Sequence, residues 1–156
     1  MPQTLQPKVF WVLIGTNDLG NKWCSPDATV LGIVRVVEAI RHSRPGAVVV
    51  INSIFPRSWH KEGIVLKGKR IGKGNFLPEL WTSISNINAH LKDYSEKREN
   101  VEFFDVNDVF FLHGKIESKK HLQIDKNLMH DYLHPSHVGY KLWGDQIVQK
   151  LDVLIG

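Results

Sequence analysis

Apolar residues are concentrated in three short runs along the chain, at residues 9–14, 47–51 and 101–106. The first two runs are continuous, and the third includes Glu102 and Asp105. None of the runs alternates apolar with polar positions, as a strand with one solvated face would. An uninterrupted apolar run of this length is typical of a strand that helices cover on both faces of a parallel sheet. The pattern therefore predicts three parallel strands.

Apolar residues at helical spacing lie between and after these runs. The first predicted helix begins with a capping Ser25, Pro26 in its first turn and Asp27 at its positive end, and it ends near Pro45 and Gly46. Two further helices are predicted, one between the second and third runs and one over residues 137–154. The apolar positions are, in order, Val30, Leu31, Val34, Val37 and Ile40; Leu77, Leu80, Trp81, Ile84, Ile87, Leu91 and Tyr94; Val138, Leu142, Ile147, Val148 and Leu151.

Strands that alternate with helices of this length imply right-handed crossovers and a parallel sheet with helices on both faces. The predicted class is α/β, doubly wound, with about three visible strands. A length of 156 residues is that of one ordinary domain. We therefore expect residues 1–156 to belong to a single domain.

The composition and charge of the chain exclude few classes of function. Hydrophobic residues make up 42% of the chain, charged residues 23%, and the formal net charge is +4. These values are ordinary for globular proteins, and so mild a positive charge gives no reason to expect nucleic-acid binding. Cys24 is the only cysteine, which excludes an intrachain disulfide. The 156 residues contain neither a signal-peptide pattern nor an apolar segment of membrane-spanning length, and the compartment and oligomeric state stay open.

The first candidate motif, Gly15-Thr16-Asn17-Asp18, follows the first predicted strand directly. In open α/β sheets, ligands bind at the carboxyl ends of the strands. A glycine there permits a tight turn, and an asparagine amide can donate a hydrogen bond to a carbonyl oxygen that becomes negative during acyl transfer. The alternative is an ordinary turn, because these residue types are also common turn formers.

The second candidate motif is Asp131-Tyr132-Leu133-His134, close to the C-terminus. A carboxylate three residues before an imidazole can accept a hydrogen bond from its Nδ1–H, which fixes the tautomer and stabilises the imidazolium. The alternatives are a solvated loop, a capping role for Asp131, and a metal site formed by His130, His134 and His137. The metal site is disfavoured because Pro135 opposes the helix that would bring His130 and His134 together.

Together the two motifs resemble the third and fifth sequence blocks of the SGNH (GDSL-type) hydrolases, in the same order and structural context. The similarity to the platelet-activating-factor acetylhydrolase-like branch includes Pro7-Lys8-Val9 and the segment at residues 52–57, and it extends over essentially the whole chain. The resemblance implies a flavodoxin-like, three-layer α/β/α fold. It also implies a serine ester hydrolase that cleaves an O-acyl ester through an acyl-enzyme.

The resemblance assigns a role to three residues. Asn17 is the side-chain donor of the oxyanion hole, His134 is the general base, and Asp131 orients His134. It implies no metal and no organic cofactor. The expected substrate is a small-molecule, lipid or sugar ester.

The family's first two blocks are missing from the 156 residues. The first block is a Gly-Asp-Ser that carries the nucleophile, and the second supplies a glycine N–H to the oxyanion hole. The only Gly-Asp is Gly144-Asp145, which Gln146 follows inside the last predicted helix. We therefore expect the chain to be the C-terminal part of a hydrolase domain, since residues 9–14 would otherwise form an apolar sheet edge. The alternative is a non-catalytic pseudoenzyme or binding domain of the same fold.

Two serines near the predicted site are candidate replacement nucleophiles. Ser53 follows the second predicted strand, at the end of the sheet where a nucleophile would lie, but a polar turn residue is the favoured interpretation. Ser136 follows His134 and Pro135, where it is suited to capping the last helix.

Residues 57–73 form a basic stretch with three glycines. The spacing Gly63-x-x-x-x-Gly68-Lys69 fits part of a phosphate-binding loop, but Arg70 replaces the required serine or threonine. The favoured interpretation is a solvated loop, and the same holds for residues 113–120. Two alternatives stay open for the basic stretch: a flap over the ligand crevice, and a phosphate-handling loop at residues 67–73.

Overall fold

The computed structural model describes residues 6–20, 24–59, 61, 63–66, 80–112 and 121–156. Its elements are β1 Val9–Val12, α1 Thr16–Gly20, α2 Pro26–Ser43, β2 Val48–Asn52, β3 Ile64–Leu66, α3 Leu80–Glu96, β4 Val101–Phe104, a 3-10 helix Asn107–Phe110, β5 His121–Gln123 and α4 His137–Ile155.

The chain divides into two compact units. The first unit consists of Met1–Ser53 and Ile87–Phe104, and the second of Ile54–Asn86 and Asp105–Gly156. The first unit contains the parallel sheet with α2, and the second contains the β3–β5 pair and α4.

The three predicted strands form one parallel sheet in the order β1-β2-β4. Val9 pairs with Val48, and Val49 pairs with Val101. The central strand is the most deeply buried, because Val49, Val50 and Ile51 are all at most 1% exposed. The predicted α/β class with a parallel sheet of three strands is thus confirmed.

Helix α2 begins where the sequence predicts. The Ala28 backbone N–H donates to Ser25 Oγ at 3.1 Å, so Ser25 is its N-cap. Its buried face differs from the predicted one, since Thr29, Ile33 and Val37 are buried while Leu31 is 53% exposed. Hydropathy alone missed Thr29 because its hydroxyl is polar, yet that hydroxyl is satisfied by donating to the Ser25 carbonyl.

Helix α3 agrees more closely with the sequence prediction, whereas in α4 the predicted apolar positions Val138, Leu142 and Val148 are 39%, 40% and 57% exposed. In α3, Ile84, Ile87 and Leu91 are fully buried, as their spacing predicts, whereas Leu77 lies outside the described residues. Helix α4 is capped by Ser136, whose Oγ accepts from the Gly139 N–H at 3.2 Å. Among the described helices, none combines the length and apolar character that crossing a membrane requires.

The antiparallel pair β3–β5 was not predicted. Ile64 pairs with Gln123 and Leu66 with His121, so β3 lies inside the basic stretch for which the sequence favours a loop. Val65 and Leu122 are buried at the centre of the pair. Each strand has only three residues, too few for an alternating pattern to be distinguished from a loop.

Candidate active site

Asp131 and His134 form a compact turn in the second unit. His134 Nδ1 lies 2.6 Å from Asp131 Oδ2. The other carboxylate oxygen, Oδ1, accepts from the backbone N–H of Leu133 at 3.0 Å and of His134 at 2.7 Å. One oxygen therefore shapes the turn, and the other orients the imidazole.

The charge of Asp131 defines the tautomer of His134. Partial burial raises the pKa of the Asp131 carboxyl, but the hydrogen bonds from the His134 ring and from the backbone of His134 and Leu133 outweigh it and lower the pKa to about 2. An ionised carboxylate can only accept, so the neutral imidazole must carry its proton on Nδ1. Nε2 is then the unprotonated nitrogen, as a general base requires. Both side chains are exposed, His134 to 68% and Asp131 to 55%.

The Asp131 carboxyl is expected to titrate near pH 2 in the folded chain, below its ordinary pKa of 3.8. Because the pKa falls on folding, the carboxylate stabilises the fold fully above about pH 4, and this contribution is lost as the pH falls toward about 2. Carboxyl ¹³C NMR measures the midpoint. Replacing His134 with alanine removes the ring hydrogen bond and should raise the midpoint. A midpoint near 3.8 in the unsubstituted chain would contradict the arrangement.

The turn is fixed at both ends by the segment around it. The Tyr132 N–H donates to the Met129 carbonyl at 3.0 Å, and Met129 is fully buried. After the turn, the Ser136 N–H donates to the Leu128 carbonyl at 2.7 Å, and Ser136 Oγ donates to the Asn127 carbonyl at 2.6 Å. The start of α4 thus closes the loop that carries His134.

Tyr132, inside the turn, was not predicted to matter. Its φ is +58°, a left-handed conformation that is uncommon for a bulky residue. Its ring lies against Gly63, and its carbonyl accepts from the Ser58 N–H at 3.0 Å. Sequence spacing carries no signal for these contacts, because Ser58 and Gly63 lie far before Tyr132 in the chain.

Asn17 lies in the first unit on the short helix α1, which follows β1 after a three-residue connection, and it is exposed. Gly15 has a φ of +104°, which supplies the predicted tight turn between the strand and the helix. Asp131 and His134 belong to the second unit. The structure thus brings Asp131 and His134 together, and it places Asn17 at the carboxyl end of its strand.

Both candidate replacement nucleophiles are buried. Ser53 is 0% exposed, and its N–H donates to the Phe104 carbonyl at 2.9 Å within the parallel sheet. Ser136 is buried and is the cap of α4. The predicted capping role of Ser136 is confirmed, and Ser53 is a buried residue rather than the polar turn residue that the sequence favoured.

The three histidines of the alternative metal site are all described by the structure. His130 and His137 are exposed, as is His134. Across the described ranges, no group of three or more histidine, cysteine, aspartate or glutamate side chains could hold a metal ion. The Nδ1 atom of His134 lies within hydrogen-bond distance of the Asp131 carboxylate.

The described part of the basic stretch includes Arg57, which is only 6% exposed. Its guanidinium lies 4.7 Å from the centre of the Trp59 ring, and burial lowers its pKa. Trp59 itself is 59% exposed. The alternative phosphate loop at residues 67–73 and the segment at residues 113–120 lie outside the described residues.

The first unit contains a cavity of about 360 Å³ near the amino ends of β2 and β4. Its lining includes Glu38, Arg41 and Asn100 but not Asn17. Tyr94 and Arg41 donate to the Glu38 carboxylate, and the Tyr94 hydrogen bond is the main reason why the pKa of Glu38 is lowered. Burial, together with this bond, raises the pKa of Tyr94 to about 12. The hydrogen bond between Tyr94 and Glu38 connects α2 to α3 within the first unit.

The chain matches one known family in sequence. The sequence profile of the GDSL-like lipase/acylhydrolase family matches residues 1–142. No curated protein matches the chain.

Several solved structures have a similar fold. A candidate platelet activating factor from Streptococcus pneumonia superposes with a TM-score of 0.70 and 20% identity, over 92% of this chain and 59% of that one. A candidate acylhydrolase from Bacteroides fragilis gives 0.68 and 20%, over 95% and 63%. A GDSL-like lipase from Bacteroides thetaiotaomicron gives 0.68 and 17%, over 96% and 64%. The chain thus spans less than two thirds of the length of each, and with the family profile covering residues 1–142, it belongs to the GDSL-like lipase/acylhydrolase family.

Proposed function

We propose that the chain supplies the general base and one oxyanion donor of a serine ester hydrolase. His134 is the base, Asp131 orients it, and Asn17 donates to the oxyanion. The substrate is an O-acyl ester of a small molecule, a lipid or a sugar. The observation that carries the proposal is the 2.6 Å contact between His134 Nδ1 and Asp131 Oδ2 in a member of this family.

In the proposed ester hydrolysis, His134, Asp131 and Asn17 each act at a defined step. A serine Oγ attacks the ester carbonyl while His134 Nε2 takes the hydroxyl proton, and the Asp131 carboxylate stabilises the imidazolium. The alcohol leaves with the proton from Nε2. A water molecule then attacks the acyl-enzyme, gives its proton to Nε2, and the serine regains its proton as the acid departs. The Asn17 amide donates to the carbonyl oxygen while it is negative.

The test uses two proteins, because the 156 residues contain no Gly-Asp-Ser. The first is the chain itself. The second, called here the extended form, is the chain preceded by an N-terminal segment of a family relative that carries the first two family blocks. We expect hydrolysis of short-chain aryl esters by the extended form, and loss of it when the block's serine is replaced by alanine. A folded extended form that is inactive on every ester, or equally active without that serine, would contradict the proposal.

Replacing Asn17 with alanine should lower turnover by the extended form about a hundredfold or more, as loss of an oxyanion donor typically does. The effect should fall on kcat, because the charge on the oxygen develops only in the transition state. Asn86→Ala, at an exposed position of α3, is the matched control and should leave kcat unchanged. Steady-state kinetics on one aryl ester measure both. Unaltered turnover in Asn17→Ala would remove this residue from the site.

A second candidate function is a non-catalytic binding domain that keeps the ligand crevice. The observation that favours it is the lack of a Gly-Asp-Ser nucleophile in the 156 residues. It predicts that the chain binds short-chain esters saturably and that the extended form still fails to hydrolyse them. Ester titrations followed by NMR, run beside the activity assay, separate the two functions.

A further inference from the structure

The turn that joins Asp131 to His134 depends on an unusual backbone conformation. Tyr132 has a φ of +58°, and the chain reverses there so that the His134 N–H and ring both reach the Asp131 carboxylate. A left-handed conformation is unfavourable for a residue with a large side chain, because its Cβ crowds the neighbouring carbonyl. Such a conformation persists only where the surrounding structure holds it.

The ring of Tyr132 is held by the backbone of Gly63, directly before β3. A Cβ at Gly63 would lie 2.6 Å from Tyr132 Cδ1 and closer still to Cε1. These separations are far below van der Waals contact, so only glycine allows the ring to lie there. Gly63 also has a φ of +66°, which an added side chain would strain independently.

Hydrogen bonds to neighbouring segments hold both Tyr132 and Gly63 in place. The Ser58 N–H donates to the Tyr132 carbonyl at 3.0 Å, and Ser58 Oγ donates to the Ile64 carbonyl at 2.8 Å. The Gly63 carbonyl accepts from the Ile124 N–H at 2.9 Å, next to the β3–β5 ladder. Ser58 therefore ties Tyr132 to the strand that follows the Gly63 contact.

We propose that Gly63 and Tyr132 are positioning residues for the base: the ring of Tyr132, packed on the bare backbone of Gly63, holds the left-handed turn in which Asp131 orients His134. This inference rests on the proposed function, since it explains how that function's base is kept in place. It assigns to the unpredicted β3–β5 pair the role of a rigid support for the turn.

The test reads the imidazole of His134 directly and needs no hydrolysis. Long-range ¹H–¹⁵N NMR of the 156-residue chain distinguishes a neutral ring protonated on Nδ1 from one protonated on Nε2. In the unsubstituted chain we expect the Nδ1–H tautomer. Loss of the Asp131 contact should shift the ring toward the Nε2–H tautomer.

Four variants are compared. Gly63→Ala introduces the clash and Tyr132→Ala removes the ring, so both should lose the Nδ1–H tautomer. Tyr132→Phe keeps the ring and should retain it. Gly144→Ala, in α4 of the same unit, is the matched control, because a Cβ at Gly144 meets nothing within 4 Å.

Circular dichroism and the Ile124 amide signal report whether each variant keeps its fold and the β3–β5 support. If Gly63→Ala does not fold, the comparison of Tyr132→Ala with Tyr132→Phe decides alone. Retention of the Nδ1–H tautomer in folded Tyr132→Ala, or its loss in Tyr132→Phe, would overturn the inference. Failure of the proposed function is distinguishable, because an extended form without esterase activity leaves these tautomer measurements unaffected.

Discussion

Replacing Asp131 with asparagine should reduce kcat for ester hydrolysis by the extended form about 10⁴-fold, the loss typical of a triad whose histidine is left in the wrong tautomer. The substitution is selective because the two carboxylate oxygens have separate tasks. Asparagine keeps Oδ1, which accepts from the N–H of Leu133 and of His134. Its amide group replaces Oδ2, which contacts the ring, and the amide N–H₂ favours an imidazole that is unprotonated on Nδ1.

Asp145→Asn is the matched control for this substitution. Asp145 is as exposed as Asp131, 55% in each case, and it pairs with Lys141 on the surface of α4. Its loss should leave kcat unchanged and cost little stability, because exposed ion pairs contribute little. Equal activity of Asp131→Asn and Asp145→Asn would show that the His134–Asp131 contact has no part in the reaction, whereas a loss confined to Asp131→Asn supports it.

The parallel sheet could be predicted from the sequence because burial on both faces leaves a plain signal. Strands β1, β2 and β4 all lie within the predicted apolar runs or at their ends. The caps were equally readable, since Ser25 and Ser136 each precede a helical apolar stripe and each accept from a backbone N–H three residues on. The buried strands and the helix caps could thus be predicted because each depends on residues that are close together in the sequence.

The Asp131–His134 contact was readable for the same reason, since three residues of spacing let the carboxylate reach back to the ring. The structure that supports this turn could not be predicted from the sequence. Gly63 and Tyr132 meet through a contact between distant parts of the chain, and β3 and β5 are too short to show a period. The left-handed conformation of Tyr132 could not be predicted either, because glycine, asparagine and aspartate are the residues that usually indicate such a backbone.

Buried polar residues were the other source of error. Hydropathy predicts that Thr29 and Ser53 lie at the surface, yet both are buried. The Thr29 hydroxyl donates to the Ser25 carbonyl, and the Ser53 N–H donates to the Phe104 carbonyl. A polar group that is satisfied in this way can be buried at little cost, and its partner is visible only in three dimensions.

Replacing His134 with alanine should have the largest effect of all, a loss of about 10⁶ in kcat of the extended form, comparable with the removal of a triad histidine elsewhere. Without an imidazole at this position, the serine proton has no acceptor within reach. Because His134 is 68% exposed, imidazole added to the buffer can enter the vacated space, and we expect it to restore part of the activity. Kinetics at rising imidazole concentration measure the recovery.

The same experiment separates the base from the alternative metal site, because His130 and His137 are exposed and lie within four residues of His134. If His134 acts as a base, His130→Ala and His137→Ala should retain kcat, and chelators should have no effect on any of the proteins. If the three histidines shared a metal ion, all three substitutions would lower kcat together, and imidazole would not rescue His134→Ala in the presence of a chelator. A uniform loss across the three variants would therefore remove His134 from the role of general base, whereas a loss that is confined to His134→Ala and relieved by imidazole assigns the proton transfer to this ring.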